Sequence, residues 1–124
     1  MIGLKIYVAH SRTINFIDDL YNPIINSQKL KEYSFYFSHS DNTKETNNNY
    51  NFYKQFDLII AEVSQPSTGL GIELGWTNIL QIPILCIYKK GSKITNSLNT
   101  VTNKYIEYIN DEDLVDKIHE FLNK

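Results

Sequence analysis

Glu73 stands in a setting where a carboxylate could do chemistry: Ala61-Glu62-Val63-Ser64-Gln65-Pro66-Ser67-Thr68-Gly69-Leu70-Gly71-Ile72-Glu73-Leu74-Gly75-Trp76. The apolar run Leu58-Ile59-Ile60-Ala61 reads as a buried strand. The turn that follows leads into a helix predicted to begin near Gly71, which places Glu73 in the first helical turn. A carboxylate there can attack C1 of a sugar and form a glycosyl ester, which water or a second base then resolves. The positive end of the helix would keep it ionised. An ordinary role competes, because a glutamate in a first turn also simply complements the helix dipole. Tyr7, near the end of the first strand, could orient Glu73 or steady charge at the sugar ring, although strand tyrosines commonly serve as packing. Ser11, Arg12, Ser67 and Ser97 are candidate phosphate or sugar contacts. Gly69 and Gly71 would allow close backbone approach, and the amides of the helix start would attract anions.

Other constellations are weaker. His10, His39 and His119 lack metal-ligand spacing, so no metal site is read. Gly69-x-Gly71 is an incomplete dinucleotide fingerprint and follows the third strand instead of the first. Cys86 lies within Ile82-Pro83-Ile84-Leu85-Cys86-Ile87-Tyr88 and reads as a small core residue.

The elements that must position these groups alternate between strand and helix. Strands are predicted over Ile2 to Ala9, Tyr33 to Phe37, Asp57 to Val63, within Gln81 to Tyr88, and over Lys104 to Tyr108. A helix after Ser11 or Thr13 carries Phe16, Ile17, Leu20, Tyr21, Ile24 and Ile25 on one face, and Pro23 must kink or restart it. The polar stretch 38–51 holds a loop and a short helix running to about Gln55. Gly71 to Leu80 and Asn110 to Asn123 are further helices, and 89–102 is a loop with a short helix. This alternation predicts a single-domain α/β protein spanning 1–124. It would be a flavodoxin- or Rossmann-like five-stranded parallel sheet of order 2-1-3-4-5, with helices on both faces. Its switch point lies between strands 1 and 3. The loops 10–12 and 64–71 meet there.

Composition narrows the class. At 124 residues, 42% apolar and net charge -2, the chain suits one globular domain and offers no basic field for a nucleic-acid polymer. One cysteine allows no internal disulfide and fits a reducing, cytoplasmic setting. No apolar run reaches the roughly 20 residues of a membrane span, and no signal peptide is read at the start.

The stretch Asp57 to Gly75 closely resembles the 2′-deoxynucleoside 5′-monophosphate N-hydrolases of the nucleoside 2-deoxyribosyltransferase superfamily. Ile84 to Tyr88 and Ile6 to Ser11 resemble that family's next strand and first strand, while residues 20–50 match poorly. The resemblance implies cleavage of an N-glycosidic bond in a small nucleoside or nucleotide, with no metal or organic cofactor. It implies that Glu73 is the nucleophile, Tyr7 the tyrosine that supports it, and Ser67 a phosphate-binding serine. Ser97 matches a serine that enters a neighbouring subunit's site, so a homodimer with shared sites is implied. The family carries an acidic aspartate before strand 3, and Asn49 occupies that position. An amide can hydrogen-bond the leaving base but cannot protonate it. Asp41 or Glu45 could replace it through a local shift. His10 and Arg12 also replace a more glycine-rich loop. The departure at Asn49 keeps a second reading open, a nucleotide-binding or sensor module without turnover. A third is a relative of Toll/interleukin-1 receptor domains that attack NAD with a glutamate beside a similar sheet. The Gln65-Pro66-Ser67 turn favours the deoxyribosyl family.

Overall fold

The computed structural model describes residues 3–39 and 50–124. Five parallel strands form one sheet: β1 Lys5–His10, β2 Ser34–Phe37, β3 Leu58–Glu62, β4 Ile84–Lys89 and β5 Tyr105–Tyr108. Their order is β2-β1-β3-β4-β5, as the alternation predicts. The register pairs Ala9 with Ala61 and His10 with Glu62, so β1 and β3 end side by side.

The central strands are apolar on both sides because both faces are covered. On one face Ile6, Val8, Leu58, Ile60, Leu85 and Ile87 pack under α1 (Asn22–Ile25) and α3 (Asp111–Leu122). On the other, Tyr7, Ala9, Ile59, Ala61 and Cys86 pack under α2 (Thr68–Ile79) and the 3₁₀ turn Tyr50–Gln55. Burial pushes the Cys86 thiol up to about 12, as suits a core residue.

Pro23 restarts its helix. A widened π turn, Ile17–Tyr21, precedes α1, and the Asn22 amide reaches back five residues to the Ile17 carbonyl. The wide turn ends where proline enters without a donor.

Helix α2 starts three residues before the expected Gly71. Ser67 is extended and its Oγ accepts the Leu70 amide at 3.4 Å, capping the helix. Gly69 and Gly71 are therefore helical residues, and Glu73 is the sixth residue of α2 instead of a first-turn residue. Burial of Leu70 and Leu74 outweighs the poor helix propensity of the two glycines. At the far end Gln81 takes φ 63°. Its amide bonds to the Asn78 carbonyl at 2.9 Å and that of Ile82 to the Thr77 carbonyl at 3.0 Å. This pair of bonds is a Schellman cap.

Candidate active site

The C-terminal ends of β1 and β3 and the first turns of α2 enclose a cleft of about 590 Å³. Ser11, Arg12, His39, Ser67, Glu73 and Trp76 are among the residues that line it. Sheets of this topology bind ligands at this edge.

Glu73 is held from behind. The Tyr7 hydroxyl donates to its Oε2 at 2.6 Å. A second phenol, Tyr53, donates to the same oxygen at 2.6 Å. Both tyrosines are fully buried. Tyr7 stacks on Tyr36 and meets Tyr53 edge-on at 5.1 Å, while Tyr53 packs against Trp76 at 6.0 Å. Burial first, and then the adjoining carboxylate, pushes both phenols far above the ordinary tyrosine value, so they remain donors.

Contrary to the expectation from the sequence, the helix start does not set the state of Glu73. Its carboxyl is raised above the ordinary value, because burial outweighs the two hydroxyl donors that favour the charged form. Glu73 lies a turn beyond the helix start, where the dipole has faded.

The loop after β1 is hydrogen-bonded within itself. The Thr13 amide donates to Ser11 Oγ at 3.1 Å, and the two hydroxyls lie 2.8 Å apart. The His10 side chain is buried beneath this loop. Its Nδ1–H donates to the Ser11 carbonyl, which leaves Nε2 to accept from the Tyr21 hydroxyl. That hydroxyl accepts the His39 amide at 2.9 Å. Burial pushes the His10 imidazole down to about 4, so it is neutral at physiological pH. His39 is lowered by burial and then by Arg12.

The remaining candidates divide between two clefts. Arg12, Ser11, Ser67 and Gly69 lie with Glu73. Gly71 and Ser97 line a separate, mainly apolar cleft, also about 590 Å³, beside the 3₁₀ turn Asn96–Thr100. Ser67 touches both. A Cβ on Gly71 would meet nothing within 4 Å, and one on Gly69 only Ser67 Oγ at 4.0 Å. Asn49, Asp41 and Glu45 lie outside the described residues.

Sequence reasoning missed Tyr53, Trp76 and His39. Trp76 was within reach, since it lies three residues after Glu73 and so on the same helical face. It also missed Glu62, a buried carboxylate on the opposite face of the sheet from Glu73. Glu62 accepts from the Ser64 amide and hydroxyl, each at 2.8 Å, and from the Tyr108 hydroxyl. Ser64 Oγ in turn accepts the Lys89 amide at 2.8 Å. This knot ties the ends of β3, β4 and β5 and anchors the turn that leads to Ser67.

No group of three or more metal-binding side chains occurs among the described residues. None of their helices is long and apolar enough to cross a membrane.

No family model matches the chain. Individual proteins do. A protein of Syntrophotalea carbinolica named for 2′-deoxynucleoside 5′-phosphate N-hydrolase activity is 39% identical over 56 residues, which is 45% of this chain and 39% of that one. The 5-hydroxymethyl-dUMP N-hydrolase of Rattus norvegicus is 48% identical over 42 residues, 34% of this chain and 26% of that one. Part of the chain is thus related in sequence to these N-hydrolases. It spans about two fifths and one quarter of the lengths of these two relatives. Among solved structures, the CMP N-glycosidase of Clostridium botulinum superimposes with a TM-score of 0.62 at 24% identity, covering 92% of this chain and 97% of that one. The two share the fold of a five-stranded parallel α/β domain.

Proposed function

We propose that this protein cleaves, or transfers to an acceptor, the sugar of a 2′-deoxynucleoside or its 5′-monophosphate. The observation that carries this reading is the carboxylate of Glu73, fixed through Oε2 by two phenols at the wall of a cleft able to hold a nucleotide. Kinship with N-hydrolases makes the glycosidic carbon the natural target. Glu73 Oε1 forms a bond to C1 as the C1–N bond breaks, and the electron pair leaves on the base. An asparagine where the resembled family carries an aspartate can hydrogen-bond the base but cannot protonate it, so the base takes its proton from water. Water, or the nitrogen of a second base, then attacks C1 and releases the carboxylate. Arg12, Ser11 and Ser67 supply the positive and hydroxyl groups that suit a sugar phosphate. Trp76 offers an aromatic face one helical turn from Glu73.

A homodimer completes the proposal. Helix α2 exposes Ile72 and Ile79, at 50% and 76%, and Ile72 lines the cleft that holds Glu73. A second copy would cover this surface. A reducing, cytoplasmic setting suits the single buried Cys86.

Incubation with a panel of deoxynucleosides, their monophosphates, ribonucleotides and NAD tests the reading by release of free base. Loss of release in Glu73→Ala is expected. No release from any compound, with Glu73→Ala indistinguishable from wild type, would sink it. Release of nicotinamide alone would favour NAD cleavage. Asn49 favours one alternative, a nucleotide-binding module without turnover. Tight binding by calorimetry with no product would support that alternative.

A further inference from the structure

The two hydroxyls on Glu73 make its oxygens unequal. A carboxylate oxygen has two lone pairs in its plane, and Oε2 receives one hydroxyl from Tyr7 and one from Tyr53. Oε1 has no hydrogen-bond partner among the described residues. Tyr53 reaches Glu73 from the 3₁₀ turn Tyr50–Gln55, and Tyr7 from β1. Its ring is locked edge-on against Tyr7 at 5.1 Å and Phe52 at 5.4 Å, so the direction of its hydroxyl is set by packing. A phenylalanine would fill the same apolar space, and what the hydroxyl adds is the bond to Glu73.

We propose that Tyr53 is a positioning residue which, together with Tyr7, fixes Oε1 of Glu73 as the reacting oxygen and supports the negative charge of the carboxylate inside the protein. This deepens the N-glycosidase reading and rests on it for its catalytic consequence. Burial alone opposes the ionised form that attack requires, and each phenol opposes burial. When Oε1 is esterified, Oε2 becomes a neutral carbonyl oxygen and accepts the two hydrogen bonds more weakly. The pair of phenols therefore favours return of the charge to the carboxylate, the step that frees the sugar.

Among the described residues, other polar groups lie near the carboxyl. Arg12 and His39 share the cleft, Tyr7 and His10 come from β1, and Tyr21 comes from the turn before α1. The control Tyr53→Phe leaves all of these in place.

The decisive experiment is carbon-13 NMR titration of the Glu73 carboxyl in wild type and Tyr53→Phe, with the signal assigned by its loss in Glu73→Gln. The midpoint is expected to move up in Tyr53→Phe, since a donor to the charged form has gone. An unchanged or lower midpoint overturns the assignment. In parallel, the acidic limb of kcat/KM for base release is expected to move to higher pH. Below that limb the variant should lose about tenfold, roughly the size of one charge-assisted hydrogen bond, and the gap should narrow above it. A uniform loss at all pH values would indicate a purely structural role and would overturn the proposal. If wild type releases no base, the N-glycosidase reading fails, and the titration still decides the role of Tyr53.

Discussion

Replacing Glu73 with Gln should make the protein more stable at neutral pH, although it removes the group proposed to react. Gln keeps the length of the side chain, and its amide oxygen can accept both phenols, at the 2.6 Å positions now taken by Oε2. Its NH₂ group then faces the cleft. What disappears is the cost of a charge held inside the protein. The Glu73 carboxyl is raised above its ordinary value by burial, against the pull of the two hydroxyls. The sign follows by linkage. Below the unfolded value both side chains are neutral, and the wild type carries no penalty. As pH rises through the raised folded value, the unfolded state ionises first, and the wild type loses stability relative to Glu73→Gln. Each unit of upward displacement corresponds to about 1.4 kcal/mol. For a chain of this size one such unit is about 3–6 °C in Tm. The assay is thermal unfolding of both proteins at a series of pH values from about 4 to 8, taking the difference at each. Glu73→Gln should gain on the wild type as pH rises. A difference that is flat with pH, or one in which the wild type gains, would refute the argument that burial governs this carboxyl.

Three further perturbations separate the parts of the account. Asn49→Asp restores an acid at the position where the resembled family carries one. It should raise the rate of base release by about 10²-fold or more, and an unchanged rate would show that Asn49 does not meet the base. Tyr108→Phe removes one of the donors to the buried Glu62 carboxylate and should lower stability by about 2 kcal/mol in chemical denaturation. It should leave the Glu73 titration unmoved, because Glu62 and Glu73 lie on opposite faces of the sheet. Gln81→Gly relieves a left-handed residue at the end of α2 and should stabilise by about 1 kcal/mol. A loss of stability there would mean that the Gln81 side chain makes contacts worth more than the relief.

The sheet was legible because its strands are short apolar runs between polar stretches, and alternation with helices leaves few topologies. The restart at Pro23 was legible for a similarly local reason, a missing amide donor. The start of α2 was not. Two glycines in four residues read as turn, while the force that winds them into helix comes from Leu70 and Leu74 packing on a sheet formed elsewhere in the chain. The main influence on Glu73 was misread for the same reason: the helix dipole is a property of the local sequence, but burial is not. Tyr53 sits among Phe52 and Phe56 and reads as apolar filling. Its hydroxyl partner lies 20 residues away in sequence, across a turn, and no spacing rule connects them. Gly71 and Ser97 line a different cleft from the one that holds Glu73, because the first turns of α2 separate the two.

The central claim is that Glu73 itself bonds to the sugar. The most direct test quenches the protein in acid during turnover of whichever deoxynucleotide releases base, digests it, and weighs the peptides. The account predicts a deoxyribosyl or deoxyribosyl phosphate adduct on the peptide that carries Glu73, located at that side chain by fragmentation and absent in Glu73→Gln. Undiminished base release by Glu73→Gln, or an adduct on another residue, would contradict it.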